Sequence, residues 1–241
     1  MRHYLHNTHL DTRSLLKILM SLTLLFLSMS VLASEIRAWP APDCTGEPQI
    51  KPSNDPGSLG GKVDESNLTI FGINVPKNKM NDIRDPLPKP IISDDNPGCA
   101  SCSDYACYLS KEKTVALIFY KYTAWDLQGF EITTTERESL PKTCVHTNLD
   151  INEFKTKSGI GIGSSKDLIS NRLNVKNPTG KLLFHYRIKL NQKQIADALR
   201  GSMSIYEPKC DDFYIDATTE ITVNYNKDGL SEYKVNYMEM F

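Results

Sequence analysis

The chain has 241 residues, with 28 Lys and Arg against 29 Asp and Glu and a formal charge of −1. With 40% hydrophobic and 24% charged residues, it has the balance of a soluble protein rather than a disordered tail or a multi-pass membrane protein. Near-neutral charge argues against a nucleic-acid partner, whose binders carry a basic excess.

Arg2, Arg13 and Lys17 precede an apolar run from Ile18 to Leu32 that ends at Val31-Leu32-Ala33. A basic stretch, an apolar core and small residues, in that order, read as a signal peptide over 1–33, cleaved before Ser34. The competing reading is an uncleaved anchor, but the apolar run falls short of the ~20 residues needed to span a bilayer. No Cys follows Ala33, which speaks against a bacterial lipoprotein anchor. The expected location is therefore periplasmic or secreted, with no stable membrane span after cleavage. Removing 1–33 takes away three basic residues and one acidic residue, leaving 25 against 28, or −3, in 208 residues. Of the five histidines, His146 and His185 remain.

All six cysteines lie beyond that point: Cys44, Cys99, Cys102, Cys107, Cys144 and Cys210. An even number in an exported chain reads as disulfides. The expectation is that the cluster Cys99, Cys102 and Cys107 is bridged to the three distant cysteines, closing long loops. Cys99-Ala100-Ser101-Cys102 is also a CxxC, but a thioredoxin-like site needs it between a strand and a helix. Here it follows the loop Asp94-Asp95-Asn96-Pro97-Gly98. A zinc site from Cys99, Cys102, Cys107 and Cys144 has uneven spacing and an oxidising compartment against it. No metal and no cofactor is expected.

Ten of the 13 prolines fall between Pro40 and Pro97. Proline removes backbone donors and blocks helices and central strands. Residues 34–98 are therefore expected to be an extended segment, interrupted by one strand at Leu68–Val75. Ser103–Lys111 is read as a short helix. Thr114–Tyr122 is β-branched and aromatic, the composition of a central strand. Ala124–Gly129 is a turn and Phe130–Thr135 the second strand of a hairpin. Ser164, with Asp167 three residues on, fits a capping box opening a helix that carries Leu168, Ile169 and Leu173. Leu182–Leu190 reads as a strand. Asn191 caps a second helix with Ile195, Ala198 and Leu199 on one face and Gly201 as its stop. Ile221, Val223 and Tyr225, the turn Lys227-Asp228-Gly229, and Tyr233, Val235 and Tyr237 make the clearest hairpin. The fold class is α+β: an antiparallel sheet with one or two packed helices over residues 99–241, preceded by the proline-rich segment and stapled by disulfides.

The run Phe154–Ile169, with Gly159-Ile160-Gly161-Ile162-Gly163-Ser164-Ser165, resembles the helix-opening motif of small exported bacterial α+β domains. These are the β-lactamase-inhibitor-like domains and the outer-membrane-assembly lipoproteins. The closing hairpin Ile221–Met238 fits the same plan, and the likeness covers residues 113–241. In those domains a Gly-Pro pair often follows the helix, whereas here Leu173 leads into Asn174-Val175-Lys176-Asn177-Pro178. The resemblance implies binding to proteins or envelope components and carries no catalytic residue across.

Direct chemical motifs point the same way. The glycine run lacks the third Rossmann glycine and the Walker Gly-Lys-Ser/Thr, so a tight backbone turn is its expected role. There is no GxSxG and no HExxH. The acidic pairs Asp94-Asp95 and Asp211-Asp212 read as solvated turns. Asn67-Leu68-Thr69 is a glycosylation sequon, relevant in a eukaryotic source. Tyr120, Tyr122, Trp125, Tyr233 and Tyr237 are candidates for an aromatic binding surface, against the plainer reading of sheet core. The expected function is an exported non-catalytic binding protein with an inhibitor or immunity type as a subclass, acting on another protein or envelope component. The alternative is an envelope hydrolase or thiol-disulfide oxidoreductase resting on His146, His185 or Cys99 and Cys102.

Overall fold

A computed structural model describes residues 40–53, 56–75, 77–94, 103–122, 127–136, 140–141, 143–201 and 206–240. The expected signal peptide, Cys99, Cys102 and Trp125 lie outside the described residues, and Tyr122 is described in its backbone alone. The chain divides into two compact units.

The larger unit comprises Pro48–Lys189 and Tyr214–Phe241. Its strands are β1 (Ile50–Pro52), β2 (Thr69–Ile70), β3 (Ile73–Asn74), β4 (Ile92–Asp94), β5 (Ser103–Leu109), β6 (Val115–Tyr122), β7 (Gly129–Thr134), β8 (Cys144–His146), β9 (Gly180–Lys189), β10 (Tyr214–Asn226) and β11 (Gly229–Met240). One sheet runs in the order β1-β9-β10-β11-β7-β6-β5-β4, with β8 also pairing β5; β2 and β3 form a separate hairpin. The pairings are antiparallel except β5 with β8, which is parallel. Helix α1 spans Lys166–Leu173.

Alternation sets the two faces of the sheet, because successive side chains in a strand point to opposite sides. Ala217, Thr219, Ile221 and Val223 of β10 are buried, as are Tyr233, Val235 and Tyr237 of β11. The register puts Ile221 opposite both Val235 and Leu182, and Val223 opposite Tyr233. Across β5, β6 and β7 the same face continues through Tyr108, Phe119 and Phe130, whose rings meet edge-on at 6.3 Å. The opposite face is polar over β9 and β10, with ion pairs Lys181–Glu220 at 2.8 Å and Arg187–Asp216 at 3.7 Å. The core draws on both sides of position 98: Val63, Leu68, Ile70, Val75, Met80, Ile83 and Leu87 pack with Phe154, Ile160, Ile169 and Leu173.

Several expectations hold and several change. The β6–β7 and β10–β11 hairpins and strand β9 form as read from the sequence. Ser103–Lys111 is not a helix: Ser103–Leu109 is strand β5, paired with β6 on one side and with β4 and β8 on the other. Its buried run Ala106, Cys107 and Tyr108 suits an interior strand, and these neighbours outweigh local propensity. Leu68–Val75 is not one strand but the tight hairpin β2–β3, turned at Phe71 and Gly72, both with positive φ (49° and 77°). The cap of α1 is Ser165 rather than Ser164; its Oγ accepts from the Leu168 N–H at 3.2 Å. Ser164 Oγ instead accepts from the Gly161 N–H at 3.1 Å and tightens the turn before the helix.

The second unit comprises Met1–Glu47 and Leu190–Phe213, of which residues 40–47, 190–201 and 206–213 are described. It holds helix α2 (Gln192–Gly201). The predicted cap is present and reciprocal: Asn191 Oδ1 accepts from the Gln194 N–H at 2.9 Å, and Gln194 Oε1 accepts from the Asn191 N–H at 2.8 Å. Ile195 is fully buried against Cys44 and Phe213 in a small core of its own.

Two disulfides lie among the described residues. Cys107–Cys144 joins β5 to β8, with Cα atoms 4.5 Å apart. This bridge follows the expected pattern of cluster to distant cysteine. Cys44–Cys210, within the second unit, does not, because it joins two of the distant cysteines to each other. The reason is local. The turn carrying Cys210 packs on α2's apolar face beside residue 44, which brings these two thiols within bonding distance.

Candidate functional site

Three of the tyrosines proposed as a binding surface, Tyr120, Tyr233 and Tyr237, are buried in the sheet. Tyr233 is fully buried, and its hydroxyl donates to the Asn67 carbonyl at 3.3 Å. Tyr237 is buried, and its hydroxyl donates to Glu239 Oε1 at 2.5 Å. Tyr120 is buried, with its hydroxyl on the Val235 carbonyl. Burial pushes the phenols of Tyr233 and Tyr237 far above their ordinary range, and the Glu239 carboxylate raises Tyr237 further. His146 is exposed on β8, beside the Cys107–Cys144 bridge. His185 is half-buried on β9, with Nδ1 at 3.3 Å from Thr218 Oγ1. The two histidines thus lie on different strands and are not brought together.

The glycine run is a docking turn. The Gly163 N–H donates to the Leu230 carbonyl at 2.8 Å, and the Leu230 N–H donates to the Ser164 carbonyl at 3.0 Å. The turn before α1 is thereby hydrogen-bonded to the β10–β11 hairpin, and these donors serve the fold rather than a phosphate. A Cβ on Gly229 would stand 2.7 Å from the Gly163 carbonyl oxygen, so this approach needs glycine at 229.

A cleft of about 560 Å³ opens in the larger unit between the loop 59–67 and the C-terminal end of α1. Leu59, Gly60, Gly61, Lys62, Val63, Asp64 and Asn67 line one side. Arg172, Leu173, Asn174, Val175 and Lys176 line the other, with Phe184 of β9. Its walls follow from local sequence. Asn174 adopts the left-handed conformation (φ 53°) that closes α1, and its N–H donates to the Ser170 carbonyl. A helix end leaves carbonyls without intrahelical partners. One of them, on Arg172, accepts from Asn67 Nδ2 at 3.0 Å. Asn67 thus ties the two walls together. It is 1% exposed, with its amide nitrogen engaged, so the folded chain does not present the sequon for glycosylation. Asn67 Oδ1 is buried with no hydrogen-bond partner.

The charge of the cleft is uneven. Asp64 caps the short turn Glu65–Leu68; the Ser66 hydroxyl, 2.5 Å away, and the Ser66 N–H hold its carboxyl below the usual range. Glu65, just outside the lining, bonds Lys77 at 2.7 Å and Lys62 at 3.3 Å, and its pKa is lowered by them. Arg172 and Lys176 are exposed, and their side chains have no ion-pair or hydrogen-bond partner among the described residues. The N–H groups of Gly61, Lys62 and Val63 likewise have no partner among the described residues. The cleft therefore offers free cations, free main-chain donors and one buried free acceptor.

Apart from the sequon at Asn67, none of these lining residues stands out in the sequence as a site. Gly60-Gly61-Lys62 reads as loop and Asn174–Asn177 as a helix exit; their meeting depends on a contact about a hundred residues apart, Asn67 to Arg172. Among the described residues no three His, Cys, Asp or Glu side chains converge as metal ligands do, and no helix is long and apolar enough to cross a membrane. The two disulfides are compatible with an exported protein. No protein-family model matches the chain, and neither the curated proteins nor the solved structures give a match.

Proposed function

We propose that the protein is an exported binding protein, periplasmic or secreted, that engages another protein or an envelope component without transforming it, in the manner of an inhibitor or immunity protein. The observation that carries this reading is the cleft: two unpaired cations and three unpaired backbone donors, held in place by the Asn67–Arg172 hydrogen bond over a sheet with a closely packed core. Recognition sites are concave surfaces that combine apolar wall with a few placed polar groups. The signal-peptide pattern of residues 1–33 and the disulfides support an oxidising compartment.

A photo-reactive amino acid introduced at Lys176, in cells that export the protein, tests the reading. A discrete adduct that disappears when Arg172→Glu is added is the expected result. Turnover of an envelope substrate by the purified protein, or a pair of native cysteines that reacts readily in a thiol titration after mild reduction, would replace it with the hydrolase or oxidoreductase alternative.

A further inference from the structure

The geometry points to an acidic, extended peptide segment of a partner protein as the occupant of the cleft, an inference that rests on the binding reading above. Three features specify this chemistry. The first is charge. The chain after residue 33 carries −3, yet this cleft is lined by Lys62, Arg172 and Lys176 against the single carboxylate of Asp64, and Arg172 and Lys176 have no ion-pair partner among the described residues. A local positive patch on a negative molecule steers carboxylates to one place and repels them elsewhere.

The second is the main chain. The Leu59 N–H donates to the Leu183 carbonyl at the edge of β9, and the Gly60 N–H to Ser58 Oγ. The next three residues, Gly61 to Val63, leave their donors open. Main-chain donors left open at a cleft receive the carbonyl or carboxylate oxygens of a bound peptide. The third is the apolar component. Leu59 is 46% exposed beside the cleft, and Val175 and Phe184 continue the surface, so alternate side chains of a bound strand meet hydrocarbon. The volume, about 560 Å³, lies within the range of ligand sites and holds a few residues rather than a domain.

The test is a titration of the 15N-labelled, oxidised protein recovered from the export compartment, followed by amide chemical shifts. The probes are an acetylated Glu-Leu-Glu-Leu amide, the same peptide with Gln for Glu, and inorganic phosphate. The expected result is saturable shifts at Gly61, Lys62, Val63 and Lys176, with the acidic peptide binding about tenfold more tightly than its Gln analogue, as two carboxylate contacts at an open site allow. Arg172→Glu with Lys176→Glu should remove that preference and transfer it to a Lys-Leu-Lys-Leu peptide, and the spectrum itself reports whether the variant is folded. Equal affinity for the Gln analogue, shifts that map elsewhere, or full displacement by phosphate would overturn the inference. Those outcomes leave the binding reading to the crosslinking result, so the two fail separately.

Discussion

Gly229 is where sequence and packing meet most tightly. It combines a φ of 115° with a backbone contact that leaves no room for a Cβ. Gly229→Ala should lower the unfolding free energy by about 1–3 kcal/mol, through backbone strain and steric displacement of the Gly163 turn. A urea titration checks it; an unchanged midpoint would show that the turn can shift away at no cost. Tyr233 is a second such residue. Tyr233→Phe removes the hydrogen bond to the Asn67 carbonyl and leaves that buried oxygen without it, a loss of about 1–3 kcal/mol. The buried tyrosines also set the alkaline limit of the fold. Burial raises Tyr108, Tyr233 and Tyr237 above the ordinary value of 10.0. Below pH 10 the folded and unfolded chains both keep these protons, and stability does not depend on them. Above it the unfolded chain releases protons that the folded chain retains, so stability falls as pH rises, by up to about 1.4 kcal/mol per pH unit for the fully buried Tyr233. Chemical denaturation between pH 9 and 11 (~pH values bracketing that onset) should show the decline, with a shallower slope in Tyr233→Phe.

At the scale of elements, the two helices differ in how they are specified. Helix α2 is written locally: Asn191 and Gln194 cap each other's backbone, and Ile195 supplies the buried contact. Asn191→Ala should cost about 1 kcal/mol and speed amide exchange in Gln192–Gly201 before it changes anything in the larger unit. Uniform protection across that helix in the variant would contradict it. Helix α1 has only eight residues and is marginal alone. It persists through Ile169 and Leu173 in the core, the Ser165 cap and the Asn67 side chain on its last turn. Strand β5 makes the same point in reverse. Its sequence holds two tyrosines but no β-branched residue, so local propensity alone does not single out a strand. Partners on both edges and the bridge from Cys107 to Cys144 make it one.

At the scale of the whole molecule, the disulfides divide the work. Cys44–Cys210 spans 166 residues and Cys107–Cys144 spans 37. In the chain-entropy account these closures are worth up to about 5 and about 4 kcal/mol. Replacing Cys44 and Cys210 with Ser should lower thermal stability and leave the segments 40–47, 190–201 and 206–213 the first to exchange, while the sheet stays protected longer. Hydrogen exchange by mass spectrometry distinguishes this from a uniform loss.

The sequence by itself determined the hairpins β6–β7 and β10–β11, strand β9 and helix α2, because alternation, turn glycines and caps act over a few residues. It also pointed to disulfides, two of which form among the described residues. Only the tertiary structure decided that Ser103–Leu109 is a strand, that Cys44 pairs with Cys210, that Tyr120, Tyr233 and Tyr237 are buried, and that Lys62, Asn67, Arg172 and Lys176 share a cleft. Each of these depends on which distant segments become neighbours. That is settled by burial and hydrogen-bond satisfaction summed over the whole chain, and a local pattern of residues carries no record of it.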